Sequence, residues 1–271
     1  MTAAFRAQEG RRDEPLFRDP WAQELGASIG EQIASRVVEH WPAGQRYVAL
    51  RTAYLDAQIA HWVQHGRVQQ VVLLGAGLDM RAWRLAQADD LSFFEVDTAV
   101  SQGYKRHRLK ELSLPPDVDP PTYVACDFER DDLIDTLVAN GFDVTRPAFF
   151  VWEGVTMYLT EQAVRATLTG IARGACPRSL VSFDFVGQKM GTGQGLAPRN
   201  QRSRDLVAAL DEPMRWGSNY IVAELAAAGF RFTRVVTFDQ LALHFLGAFD
   251  PAWEFRFQSV AVASVDALEL V

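Results

Sequence analysis

The stretch Val71-Val72-Leu73-Leu74-Gly75-Ala76-Gly77-Leu78-Asp79-Met80-Arg81 passes from four branched aliphatics through two glycines into helix-forming residues. It reads as a strand, a tight turn and a helix. An unbroken aliphatic run suits a parallel strand covered on both faces. The glycines let the backbone approach a ligand at the carboxyl end of that strand, where open α/β sheets bind cofactors. The third glycine of a dinucleotide fingerprint is missing, and Arg81 opens the helix instead. Asp79 is placed to cap that helix, putting a carboxylate where a phosphate would otherwise sit. Taken alone, the Gly-x-Gly is equally compatible with a plain βα turn.

Downstream, four more apolar runs each finish on an acid. Leu91 to Asp97 ends in Glu95-Val96-Asp97, about twenty residues past the glycines, where nucleotide-binding folds place a ribose carboxylate. Tyr123 to Asp127, Phe149 to Glu153 and Leu180 to Asp184 repeat the pattern. Acids gathered at one edge of a sheet would line a cleft suited to hydroxyls, an amino group and an adenine amine. Such a cleft fits S-adenosylmethionine better than an anionic cofactor.

Three motifs in order carry a resemblance. Gly75-Ala76-Gly77-Leu78-Asp79 with Arg81 and Arg84-Leu85, Phe94-Glu95-Val96-Asp97 with Lys105, and Glu153-Gly154-Val155-Thr156-Met157-Tyr158-Leu159 resemble the leucine carboxyl methyltransferase-like family of class I S-adenosylmethionine-dependent methyltransferases. The resemblance covers roughly residues 10 to 230. The family includes methyltransferases of a phosphatase carboxyl-terminal leucine and many bacterial enzymes that methylate small molecules, often in polyketide pathways.

Length and composition set limits. With 48% hydrophobic and 23% charged residues, a chain of 271 has ordinary globular composition and enough length for one large core. No apolar run approaches the ~20 residues a bilayer span requires, and the start, with arginines and acids and no apolar core, does not read as a secretory signal. A cytoplasmic protein is expected. Cys126 and Cys176 are too few for a disulfide framework and lack partners at metal-ligand spacing, so no metal is expected. A formal charge of -7 without a basic run argues against a nucleic-acid substrate.

The expected architecture is α/β: a Rossmann-like, doubly wound, seven-stranded and mostly parallel sheet in one domain. Residues 1–66 read as a helical cap, 67–186 as the cofactor-binding core, 187–218 as a lid inserted after the fifth strand, and 219–271 as a closing helix and strands. Between strands, helices are expected over Arg81 to Ala88, Ala99 to Leu112, Asp131 to Asn140, and Glu161 to Gly174 with Thr160 as cap. Gly187 to Gly195, with four glycines in nine residues, reads as a mobile loop. Phe230 to Phe238 and Phe255 to Val262 read as the last strands, joined by a loop. The resemblance makes the seventh antiparallel.

The resemblance also implies a cofactor site. Arg51, one turn before Leu55 on a helix whose apolar face carries Leu55, Ile59 and Trp62, would hold the methionine carboxylate, a match for a guanidinium fork. The alternative is a surface arginine paired with an acid. Gly75, with Ala76 and Gly77, would pass under the methionine part, Asp97 would accept from the ribose hydroxyls, and Asp127 with the backbone of Phe128 would read adenine. Glu153 would sit near the amino group and sulfonium. Glu95 shares a face with Asp97, so depth along the strand decides between them, and Asp97 could instead cap the helix that follows.

A methyl on a sulfonium is already activated, so transfer needs an in-line, deprotonated nucleophile and exclusion of water. Candidate bases are Tyr158, His244 and, behind them, His107, each of which could equally be structural. An apolar acceptor pocket is expected around Trp21, Trp41, Met190, Met214 and Trp216. The expected reaction is O-methylation of a small carboxylate or phenol, tilted toward carboxylate because a carboxylate needs no base. Methylation of a protein carboxyl terminus and NAD-dependent oxidoreduction are the competing readings. The oligomeric state and the acceptor's identity are not legible.

Overall fold

The computed structural model describes residues 1–40, 43–85, 91–209, 212–249 and 257–267. Its centre is a seven-stranded sheet of order β3-β2-β1-β4-β5-β7-β6. The glycine stretch supplies β1, Gln70–Leu74, which is buried along its whole length and pairs in parallel with β2, Ser92–Asp97, and β4, Ala148–Trp152. β3, Thr122–Ala125, and β5, Leu180–Val186, extend the parallel part on either side. β7, Gln258–Ser264, runs antiparallel between β5 and β6, Phe232–Thr237. Strand order reverses between β1 and β4, and a doubly wound sheet opens its ligand crevice at such a switch point.

Three helices precede the sheet. α1, Thr2–Gly10, is the first helix of the expected cap. It packs on α2, Ala22–His40, and on α3, Gly44–Gln64. Its signal is Ala3, Ala4, Phe5 and Ala7, a small apolar face buried against its neighbours. Trp21 stands just before α2.

The crossovers are short where their capping chemistry says so. α4 spans Arg81–Arg84 and its expected continuation to Ala88 runs into residues outside those described. α5, Ala99–Leu109, is capped by Thr98, whose hydroxyl accepts from the Ser101 amide at 3.3 Å. Asp132 caps α6, Leu133–Ala139, and Thr160 caps α7, Glu161–Gly174, by accepting from the Ala163 amide at 3.2 Å. A 3₁₀ turn, Thr156–Tyr158, follows β4.

Two expectations about the later chain are corrected. The glycine-rich stretch after β5 holds a helix, α8, Gln188–Thr192. There Gly191 lies so close to the Trp216 backbone that a Cβ would stand 2.3 Å from its carbonyl carbon, so that glycine serves close packing rather than slack. α9, Pro198–Ala208, then starts with proline in its first turn, and α10, Ile221–Ala228, ends at Gly229 in the left-handed region. The link between the last strands is likewise more than a loop: it carries α11, Phe238–Leu246, entered through a capping box of Thr237 and Gln240. A Thr-x-x-Gln ahead of Leu241 and Ala242 was the overlooked signal.

Two layers of apolar side chains cover the sheet, one under α3 and α11 and one under α6, α7 and α10. No helix of the described residues is long and apolar enough to cross a membrane.

Candidate functional site

A cleft of about 630 Å³ opens at the carboxyl ends of β1, β2, β3 and β4. Gly75, Ala76, Gly77, Asp97, Asp127, Phe128, Glu153, Arg51 and Tyr158, separated by up to 107 positions, all line it, together with Met1 and Arg6 of α1 and Glu212 and Arg215 from the strip after α9. The sheet's parallel register brings these distant residues together.

The glycine turn is closed on itself. Gly75 and Ala76 donate their amides to the Val96 carbonyl at 2.8 and 3.1 Å, Gly77 donates to Asp97 Oδ2 at 2.7 Å, and Asp79 donates to the Ala76 carbonyl at 2.8 Å. An amide already bonded within the protein cannot cradle a phosphate, so this turn is not a pyrophosphate nest. Asp79 places its carboxylate at the start of α4, accepting from the Arg81 amide at 2.8 Å and from Arg81 Nη1 at 2.5 Å. Burial works against that charge, yet Arg81, Arg6 and Arg84 hold its carboxyl well below the usual range.

Asp97 Oδ1 accepts from the Thr98 amide at 2.7 Å, so both oxygens are oriented by backbone while each keeps a further lone pair. Thr98, not Asp97, caps α5. Glu95 lies one step deeper, 1% exposed, with both oxygens 2.7 Å from Lys105 Nζ, and does not reach the cleft. Asp127 accepts from the Glu129 amide at 3.0 Å, and its own amide is taken by Asp131. The Phe128 ring packs beside Trp152 at 5.6 Å.

Around Glu153 lies a buried ion network. Glu153 Oε1 accepts from Arg51 Nε and from the Thr52 hydroxyl, both at 3.0 Å, and Oε2 meets Arg81 Nη1 at 2.5 Å. Burial disfavours its charge, but Arg81 and Arg51 more than offset this and bring its carboxyl down to about 2. Arg51 is 5% exposed, which sets aside the surface-pair alternative. Its Nη1 also donates to Asp184 Oδ2 at 2.6 Å, so part of the fork expected to face a ligand is engaged within the protein. Asp184 does not line the cleft. It is fully buried beneath it, accepting from the Tyr47 hydroxyl at 3.0 Å and the Gly154 amide at 2.6 Å.

Several site residues went unread in the sequence. Arg6 lines the cleft while donating to Asp19 at 2.9 Å and to the Leu78 carbonyl at 2.6 Å, which fastens α1 over the glycine turn. Glu212 and Arg215 reach the cleft because the Arg215 and Trp216 amides both bond the Met157 carbonyl, at 2.8 and 3.2 Å. Nothing local to Glu212 or Arg215 in the sequence indicates what they face.

Other expected residues lie elsewhere. His244 is exposed on α11 and His107 on α5, and neither lines the cleft. Tyr158 does line it, but burial raises its pKa well above the ordinary phenol value, so it is held as a proton donor rather than a base. Among the expected acceptor-pocket residues, Met214 and Trp216 are buried in packing, Trp21 bonds the Ser113 carbonyl, and Met190 borders a separate hollow near Phe257. None of these four lines the strand-end cleft, and Trp41 lies outside the described residues. Hydrophobic type marked these residues for burial, and burial is where most of them went. Among the described residues no three His, Cys, Asp or Glu side chains stand where they could hold a metal ion.

The same architecture recurs in solved structures. A DUF574 family protein of Streptomyces avermitilis aligns over 98% of this chain and 97% of its own with a TM-score of 0.66 at 15% identity. A candidate methyltransferase of Thermobifida fusca aligns over 98% and 95% with a TM-score of 0.64, also at 15% identity. Fold and strand-end cleft thus define a Rossmann-like, doubly wound α/β protein. Sequence makes this more specific: a Streptomyces coelicolor protein described as a candidate S-adenosyl-L-methionine-dependent methyltransferase is 32% identical over 223 residues, 79% of this chain and 78% of that one. The model of the leucine carboxyl methyltransferase family matches residues 1–172, and the chain belongs to that family of S-adenosylmethionine-dependent enzymes.

Proposed function

We propose that the protein transfers a methyl group from S-adenosylmethionine to an oxygen of a small, aromatic or polyketide-like molecule. The observation that carries the cofactor reading is the glycine turn whose first three amides are all consumed internally beside an oriented Asp97. A site built this way offers acceptors rather than phosphate donors, as a cofactor with a ribose and a cationic sulfur requires. Its charge agrees: five acids line the cleft against three arginines.

In this reading Asp97 accepts from the ribose hydroxyls, Asp127 and the Phe128 backbone meet adenine, and Gly75 to Gly77 floor the cleft. Arg51 and Glu153 border the methionine end, with Arg6 beside them. S-adenosylmethionine, when bound, supplies an activated methyl. The chain's part is to orient it, exclude water and place the acceptor oxygen. Methylation of a protein carboxyl terminus stays the second reading, resting on family membership alone. Isothermal titration with S-adenosylhomocysteine and with NAD tests the proposal. Micromolar binding of the former and none of the latter is expected, and NAD binding of equal strength would sink it.

A further inference from the structure

Four of the five acids lining the cleft are committed. Asp79 is paired with Arg81, Asp97 takes the Gly77 and Thr98 amides, Asp127 takes the Glu129 amide, and Glu153 takes Arg51, Thr52 and Arg81. Glu212 differs: it stands exposed at the rim of the cleft, and among the described residues no hydrogen bond or ion pair engages its carboxylate. It enters beside the 3₁₀ turn that carries Tyr158, because the strip after it is pinned to Met157. It therefore stands on the β4 side of the cleft, across β1 from Asp97 and Asp127 at the ends of β2 and β3.

If Asp97 and Asp127 hold the nucleoside, as proposed above, the β4 side is left for the reacting methyl and the acceptor. The charged and titratable groups there are Arg51 and Glu153, paired with each other at 3.0 Å, the Met1 amino group and Arg6 from α1, Tyr158, and Arg215, which is paired with Glu129 at 3.2 Å. Arg6 is taken up by Asp19 and the Leu78 carbonyl. A carboxylate acceptor would set a second negative charge against Glu212, needs no base, and would find these cations mostly engaged. A neutral hydroxyl brings a proton that must leave as its oxygen attacks, and an unpaired carboxylate can take it.

We propose that Glu212 is the proton acceptor of the transfer and that the substrate is a neutral aromatic hydroxyl rather than a carboxylate. This rests on the methyltransferase reading above and reverses the carboxylate preference drawn from sequence. The new bond forms between the acceptor oxygen and the methyl carbon. The carbon–sulfur bond breaks with its electron pair kept by sulfur, and the hydroxyl proton passes to Glu212. Partial desolvation at the cleft rim raises the Glu212 pKa, offset in part by the Met1 amino group. A phenol, with an ordinary pKa of about 10, is within reach of such a base, whereas an alkyl alcohol holds its proton too tightly. Tyr158, kept protonated, is available to donate to the acceptor.

The test compares the wild type with Glu212→Gln, using 2-naphthol and 2-naphthoate as probes of equal ring size. S-adenosylhomocysteine should bind both proteins alike. The wild type loaded with it should bind 2-naphthol at least tenfold more tightly than 2-naphthoate, and Glu212→Gln should erase most of that gap. Methyl transfer to 2-naphthol should fall about 10²–10⁴-fold in the variant and lose its dependence on an ionised carboxylate in the acid limb of the pH profile. Equal or tighter binding of 2-naphthoate by the wild type, a base-labile methyl ester as product, or unchanged ring discrimination in the variant would each overturn the proposal. A wild type that binds no S-adenosylhomocysteine would instead remove the cofactor reading beneath it.

Discussion

A Cβ placed on Gly75 would stand 2.4 Å from Cγ2 of Val155, and Gly75 holds a φ of +65°. The first glycine of the turn is thus demanded twice, by the left-handed backbone and by the side chain that follows β4. Gly75→Ala should cost about 2–4 kcal/mol in urea unfolding, the sum of a backbone and an overpacking penalty. In a Val155→Ala background the penalty should shrink but not vanish, since only the contact is relieved. Full recovery would mean that the backbone contributes nothing.

Asp97 is held by two backbone amides and lines the cleft. Asp97→Ala should weaken S-adenosylhomocysteine binding by about 1.5–3 kcal/mol, the worth of hydrogen bonds to a charged acceptor. Asp97→Asn keeps one acceptor oxygen and should fall between the two. An affinity unchanged in the alanine variant would remove Asp97 from the ribose.

Arg51 joins α3 to both Glu153 and Asp184. Arg51→Ala would leave a fully buried Asp184 short of its cation and should destabilise the protein by about 3–5 kcal/mol. Arg51→Lys retains charge but cannot reach both acids with a fork, so it should lose part of that stability and also weaken cofactor binding. A lysine variant with wild-type melting and wild-type affinity would contradict the role assigned to this network.

Glu153 gives a pH dependence with a definite sign. Its folded pKa of about 2 lies below an ordinary 4.5, so the stabilisation it provides is present above 4.5 and is lost as pH falls toward 2. The full effect is about 3 kcal/mol by linkage. Thermal unfolding from pH 6 downward should show the wild type losing stability more steeply than Glu153→Gln below about pH 4.5. Parallel curves would show that Glu153 is not held ionised by its arginines.

Much of the sheet could be read without coordinates because β1, β4 and β5 are buried on both faces, and such strands appear as continuous apolar runs. Thr98, Asp132 and Thr160 mark their helices through hydrogen bonds that span three residues, so their signals are local too. α11 and α8 escaped for opposite reasons. The first begins where an expected strand ends, so its capping box was passed over in a link read as loop, and the second was masked by glycines whose purpose lies in contact with Trp216.

By itself the sequence determined the strand–turn–helix at Gly75, the acids closing the strands and the family motifs, since each depends on neighbours along the chain. Only the tertiary structure decided which acids face the cleft. Asp184 and Glu153 each close an apolar run in the sequence, yet Asp184 lies within β5, sealed beneath Arg51 and Tyr47, while Glu153 follows β4 and borders the cavity. The structure also brought Arg6 and Glu212 to a site formed between them in the chain, and left His244 facing outward on α11. Side-chain chemistry is set residue by residue, but burial and pairing depend on what other segments bring to within a few ångströms. That information is spread over separations of up to a hundred residues or more and appears only when the sheet assembles.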